Sequence, residues 1–249
     1  MSLSQHQKLN KNHLQLIAII AMTVDHIADL LYPNFQLTAP SCIMHVVGRL
    51  TAPIMFFFVC EGFFYTKNLK KYLIRMFLFA VISHFAYCFA FGINFLPFAN
   101  GSFFNQTSVM WSLAWAVVAL WVQYKSTFNK WIKALLLILI CVITFPADWS
   151  SIAVMAIVFM YGHRGNLTLQ MLWMEAWVFI YAVVSFFFVN KVYGIICLCA
   201  ILVWPLLLLY NGQKGKANWM KWLFYIYYPA HLLIVGIIRF FVLGNIPLL

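Results

Sequence analysis

Asp25, His26 and Asp29 stand within five residues of one another in a stretch that is otherwise mostly apolar. At 3.6 residues per turn the two acids share a helix face, and His26 lies on a neighbouring line three residues from Asp29. Arg49 occupies the next apolar stretch, with His45 one turn before it. An Asp25–Arg49 ion pair with His26 beside it is the natural arrangement. His231 follows a proline in Tyr227-Tyr228-Pro229-Ala230-His231. Pro229 removes a backbone donor, so a kink is expected there, and the carbonyls it releases are tolerated only against protein or a cavity. His231 is therefore expected to face the cavity that His26 faces. His84, after Ser83, is a weaker candidate of the same kind. Imidazoles beside acids move protons, either as general acid–base groups or as a relay across a membrane. Structural alternatives stay open: a buried pair that fixes two helices, or core histidines bonded to carbonyls.

The elements that must position these groups are set by composition. The chain has 249 residues, 65% of them hydrophobic and only 8% charged, with a mean hydropathy of +0.91. A soluble domain has about 45–50% apolar and about 25% charged residues. This composition excludes a soluble globule and equally a disordered chain. A helical span needs about 20 mostly apolar residues. Nine such runs are expected, at 13–32, 41–65, 72–92, 108–124, 131–146, 149–162, 168–189, 193–210 and 222–243, within a range of eight to ten. The fifth and sixth are short and meet at Pro146-Ala147-Asp148. The runs are continuous rather than alternating, which excludes a β-barrel. The expected architecture is all-α, a single polytopic domain over 1–249 whose first run is a retained span. The six cysteines lack metal-ligand spacing apart from Cys197-x-Cys199, which lies inside an apolar run, so no metal is expected.

The cations orient the bundle. Lys8, Lys11, Lys67, Lys70, Lys71, Arg75, Lys125, Lys130, Lys133, Arg164, Lys214, Lys216 and Lys221 all fall on one side, and these are 13 of the 16 Lys and Arg residues. Lys191 and Arg239 fall on the other side, and Arg49 within a span. This asymmetry places the N-terminus in the cytoplasm. The formal charge of +11 is thus a topology signal, with a lipid bilayer and no nucleic acid as partner. By contrast all five acids lie in spans or at their ends. Asp25, Arg49, Glu61 and Glu175 together cost on the order of 10 kcal/mol before pairing. Glu61 is expected to bridge to the Lys67, Lys70, Lys71 and Arg75 cluster. That cluster is either a solvated face or a clamp for phosphates. Asp148 and Glu175 have no partner that spacing identifies. Nucleotide-binding and hydrolase motifs of soluble enzymes are absent.

Several segments in order resemble the TraX family: Met22-Thr23-Val24-Asp25-His26-Ile27, Gly48-Arg49-Leu50-Thr51-Ala52-Pro53-Ile54, Glu61-Gly62-Phe63-Phe64-Tyr65-Thr66-Lys67-Asn68 with Lys70-Lys71-Tyr72-Leu73-Ile74-Arg75, Asp148 to Arg164, and Phe224 to Leu232. FimB-like fimbrial assembly proteins belong to the same group. The resemblance implies a membrane-embedded acyltransferase of a bacterial inner membrane. It would move acetyl from cytoplasmic acetyl-CoA to a pilin N-terminal amine, a surface glycan hydroxyl or a lipid. On that reading His26, oriented by Asp25 or Asp29, is general base or acyl carrier. His231 is partner base or oxyanion donor, and Arg49 holds Asp25 or the oxyanion. Lys70, Lys71 and Arg75 lie near the phosphates, with Asp29, Glu61, His84 and Ser112 also on the substrate side. Ser108-Val109-Met110-Trp111-Ser112 departs from the family's Asn-Val-x-Phe-Thr-like stretch and lacks its amide. The rival functions are a small proton-coupled transporter and a non-catalytic pilus assembly factor.

Overall fold

The computed structural model describes residues 8–33, 36, 38–99, 104–244, 246 and 248, apart from the Lys221 side chain. Asparagine starts many of the helices. Asn10, Asn68, Asn129, Asn166 and Asn190 each accept a backbone N–H of the first turn and so cap α1 (Lys11–Leu31), α4 (Leu69–Phe91), α6 (Lys130–Thr144), α8 (Leu167–Phe188) and α9 (Lys191–Cys197). Gly92, at φ +73°, closes α4 in the left-handed conformation that suits glycine. The remaining helices are α2 (Ala39–Gly48), α3 (Thr51–Tyr65), α5 (Val109–Tyr124), α7 (Ser150–Gly162), α10 (Val203–Leu208) and α11 (Met220–Val242). A 3₁₀ turn, Leu198–Leu202, joins α9 to α10.

Six segments are long and apolar enough to cross a bilayer: α1, α2 with α3, α4, α8, α9 through α10, and α11. The helices α5, α6 and α7 have only 16, 15 and 13 residues. Two of them, α5 and α7, pack on each other and on neighbouring helices, with most of their residues buried or half-buried. The third, α6, lies at the periphery with only Ile140 and Thr144 buried. The fold is thus an all-helical membrane bundle, as composition requires. No strand forms among the described residues; the extended contacts are isolated bridges, Leu9 with Tyr210 and Thr107 with Ala147.

The second apolar run is not one helix. It breaks at Arg49–Leu50, between α2 and α3. Pro53 has no N–H to offer the Arg49 carbonyl four residues back, so the helical ladder is interrupted there. Pro229, by contrast, lies inside α11, which continues past it to Val242.

The basic residues gather at one end of the bundle. Leu9 and Lys11 donate backbone hydrogen bonds to Leu209 and Gln213, which ties the start of α1 to the connection before α11. At the same end Arg164 donates to both carboxylate oxygens of Glu61, at 2.7 and 3.3 Å. Its guanidinium also lies 3.4 Å from the centroid of the Phe64 ring. The Glu61 partner is therefore Arg164, beyond the end of α7, rather than the Lys67 to Arg75 cluster. At the opposite end, Arg239 donates to the carbonyls of Phe89 and Ile246. The Glu61 and Arg164 side chains are 16% and 25% exposed, between the surface and buried regimes of ion-pair energetics. A double-mutant cycle with Glu61→Ala and Arg164→Ala, read by thermal unfolding in detergent, should give a coupling of about 1–3 kcal/mol. Strictly additive losses would show that the pair contributes nothing.

Candidate functional site

The site is built where α1, the α2–α3 break, α9 and α11 meet. Asp25 lies two-thirds of the way along α1 from the basic end, a rise of roughly 20 Å. Arg49 Nη2 donates to Asp25 Oδ2 at 2.8 Å, and His45 Nδ1 donates to Asp25 Oδ1 at the same distance. Both carboxylate oxygens are thereby engaged. Arg49 Nη1 reaches the Tyr193 hydroxyl of α9 at 3.1 Å, and Nε reaches the His45 carbonyl at 3.4 Å. The Tyr193 and Trp149 rings flank the guanidinium, with centroids 5.1 and 5.7 Å from its carbon. Arg49 and His45 are 4% and 2% exposed, so the Arg49 charge is compensated inside the protein rather than by water.

Gly48 is what lets the two segments approach. A Cβ there would strike the Asp25 carboxyl itself, and that carboxyl, held on both oxygens, has nowhere to swing.

His26 is oriented by a second histidine, not by an acid. His26 Nδ1 and His231 Nε2 are 2.7 Å apart, and His231 Nδ1 is 2.9 Å from the Tyr227 carbonyl. A carbonyl oxygen only accepts, so His231 Nδ1 carries a proton. In the neutral pair His231 Nε2 is then an acceptor, and the proton between the rings belongs to His26 Nδ1. This leaves His26 Nε2 as a lone-pair nitrogen with no hydrogen-bond partner among the described residues. The His26, His231 and Tyr227 rings stack nearly parallel, at 15° and 7°. The Tyr227 hydroxyl lies 2.6 Å from Thr23 Oγ1, a second tie between α11 and α1.

Asp25, His26 and Arg49 line a small chamber of about 40 Å³ together with Asp148, Trp149 and Tyr228. That is room for one or two waters. Trp149 and Ser150 hold φ of +61° and +49°, a conformation that costs side-chain-bearing residues of order 1–3 kcal/mol each. The strained pair turns the chain into α7 and sets Trp149 against Tyr181, with rings 4.9 Å apart and stacked.

A larger cavity of about 620 Å³ enters from the basic end. Its cations are Lys11, Arg75 and Lys214, and Tyr72 and Tyr225 are among its aromatic walls. The Arg75 guanidinium lies 5.5 and 5.2 Å from those two ring centroids, and its buried Nε has no hydrogen-bond partner. Glu61 also lines this space. Met55 belongs to the walls of both cavities.

The sequence candidates therefore divide. Asp25, His26 and Arg49 come together on the chamber wall, whereas His231, expected to face the same cavity, is not among its lining residues and joins the site through its contact with His26. Asp29 sits one turn beyond Asp25 and makes no hydrogen bond or ion pair among the described residues. Of the basic triplet, Arg75 lines the large cavity, whereas Lys70 and Lys71 are exposed outside its walls. His84 stands apart, both ring nitrogens engaged, by Thr107 at 3.0 Å and the Phe95 carbonyl at 2.8 Å. It pins the connection after α4. Ser112 donates to the Ser150 carbonyl at 2.9 Å and joins α5 to α7. Glu175 remains on α8, away from the chamber walls, with Oε2 buried and lacking a hydrogen-bond partner. His45 joins the site as the second donor to Asp25, and Tyr193, Tyr227 and Trp149 complete it without being among the sequence candidates. The one-turn spacing of His45 from Arg49 was a usable signal for the first; nothing in spacing pointed to the others.

Fold and site define a multi-pass helical membrane protein with a charged and imidazole-bearing centre at bilayer depth. The chain belongs to the TraX family: residues 10–239 match the family described as TraX protein, a span that contains all four convergent residues. It is similar to the probable fimbrial assembly protein FimC, serogroup H1, of Dichelobacter nodosus, with 32% identity over 225 residues, 88% of this chain and 91% of that protein. A shorter similarity, 34% over 64 residues, links it to the uncharacterized protein RP591 of Rickettsia prowazekii (strain Madrid E), covering 26% of this chain and 23% of that one. No solved structure matches.

Two substitutions test the charge cluster. Asp25→Asn keeps the shape but leaves Arg49 uncompensated, and should destabilise by about 3–5 kcal/mol. Gly48→Ala should cost about 1–3 kcal/mol through overpacking. Unfolding midpoints in detergent unchanged by either would show that the cluster does not hold α1 to α2.

Proposed function

We propose that this protein is a membrane-embedded acetyltransferase that takes acetyl from acetyl-CoA at its basic, cytoplasmic end. The acceptor is an amine or hydroxyl presented near the opposite end. The observation that carries the reading is His26 Nε2, a nitrogen left with its lone pair because His231 fixes the tautomer. The large cavity suits the donor in size, since ligand sites typically measure about 300–1,000 Å³. Lys11, Arg75 and Lys214 would meet its phosphates, with Arg75 set among aromatic rings. The small chamber suits a two-carbon acyl group better than a long one.

The chemistry follows from these placements. His26 Nε2 takes the proton of the acceptor amine or hydroxyl as the acceptor atom bonds to the thioester carbonyl carbon. The carbon–sulfur bond then breaks, and the proton passes from His26 to the leaving thiolate, giving free CoA and the acetylated acceptor. Arg49 keeps Asp25 from competing for the His26 proton, and the His26–His231 contact holds the ring in place. General acid–base assistance of this kind is worth about 10²–10⁴-fold.

Family membership, together with the name of the Dichelobacter relative, makes a pilin subunit the preferred acceptor and a bacterial inner membrane the preferred location. The same name also supports a second reading, a non-catalytic assembly factor that holds pilin in the membrane. The two separate on one assay. Purified protein with labelled acetyl-CoA and a pilin peptide should release CoA thiol and acetylate the peptide. His26→Ala should lower that rate about 10²–10⁴-fold while the protein stays folded. Pilin binding without thioester turnover would replace the enzyme with the assembly factor.

A further inference from the structure

The two cavities share a wall, and the same side chain belongs to both. Met55, on α3, lines the large basic-end cavity and the His26 chamber alike, and is 3% exposed. Next to it the start of α5 divides in the same way: Val109 lines the chamber and Met110 the larger cavity. Met22, on the chamber side, and Met76, on the cavity side, are also buried. The side chain common to a space of about 620 Å³ and one of about 40 Å³ is thus a methionine, Met55. An unbranched thioether side chain can change rotamer and repack without disturbing its helix, whereas a β-branched or aromatic residue there would be a fixed wall.

We infer that Met55 is the partition between the two spaces and the residue that selects what passes from the basic end to His26. Its motion admits a slender chain ending in a small acyl group, and its bulk, together with the small chamber beyond, rejects longer ones. The identity of the passing chain rests on the acetyltransferase reading; the partition itself does not.

Two measurements keep those apart. For the first, Ala52, which lines the chamber one turn from Met55, is replaced by cysteine. The protein is placed in sealed proteoliposomes sorted so that the basic end faces outward. A membrane-impermeant methanethiosulfonate reagent is added outside, and labelling at position 52 is read by peptide mass spectrometry, so the native cysteines do not interfere. Adding Met55→Ala should raise the labelling rate about tenfold or more, the scale at which a pocket discriminates small changes in bulk. Met55→Leu, of similar volume, should leave it unchanged. Equal rates with Met, Leu and Ala overturn the partition, whether or not any thioester is turned over.

The second compares kcat/KM for acetyl-, propionyl- and butyryl-CoA. Met55→Ala should raise the butyryl-to-acetyl ratio by about 10–200-fold, with Met55→Leu close to the original chain. Turnover with an unchanged ratio overturns the selecting role. Absence of turnover from any acyl-CoA, with labelling still governed by residue 55, overturns the acetyltransferase reading and leaves the partition standing.

Discussion

The buried charge of Asp25 is the constraint around which the rest of the bundle is arranged. An acid at this depth in a membrane costs about 2.5–3.5 kcal/mol even on insertion scales, and Arg49 here reaches only Oδ2 of the Asp25 carboxylate. Arg49 supplies the charge and His45 the second donor. Those two residues lie four apart on the last turn of α2 and its cap, so one helix end delivers both. For that end to stop at the right depth the helix must break, which Pro53 ensures by leaving the Arg49 carbonyl without its helical donor. For it to come close enough, residue 48 must lack a side chain. Three local peculiarities of sequence thus serve a single electrostatic requirement.

The same requirement explains why α9 belongs to the site. Satisfying Asp25 uses only part of the guanidinium. Tyr193 accepts from a second amino group and offers its ring face to the cation, so the arginine is closed off by hydroxyl and π-face instead of water. Trp149 covers another side, at the cost of two consecutive left-handed residues. Backbone strain at that turn, rather than in the helices, is consistent with a wall whose shape matters.

What could be read in advance was whatever one helix dictates. The apolar runs and the Asp25–Arg49 pairing both follow from spacing along one or two neighbouring segments. Glu61 shows the limit: the nearest cations in sequence are Lys67, Lys70 and Lys71, but its partner is 103 residues away. A side chain one turn from a helix end points across the bundle, and which helix stands there is a matter of packing. His84 illustrates the converse. Its residue type suggested chemistry, yet its position beside the returning loop after α4 spends both nitrogens on holding that loop. The strained Trp149 turn and the shared wall at Met55 left no trace in local pattern, because both exist only once α3, α5 and α7 have been brought together.

The direction of the histidine pair bears on what kind of proton chemistry the centre can support. A relay for transport needs an entrance and an exit, each able to gain and lose a proton. Here the chain of donors runs from His26 Nδ1 to His231 Nε2 and from His231 Nδ1 to the Tyr227 carbonyl, and a carbonyl in a helix is no proton acceptor at ordinary acidity. A proton captured at His26 Nε2 can be shared across the two rings, but it has nowhere further to go along this chain. It must leave by the nitrogen through which it came. Group transfer from a thioester asks for that behaviour: a base that removes a proton from the incoming nucleophile, holds it for the lifetime of a tetrahedral intermediate, and returns it to the departing sulfur. The ion pair alongside engages both Asp25 oxygens, one with His45 and one with Arg49, which holds the carboxylate in its charged, paired state beside the histidines. A dead-ended imidazole pair next to a paired carboxylate is thus, by hydrogen-bond direction, a base that gives its proton back where it took it.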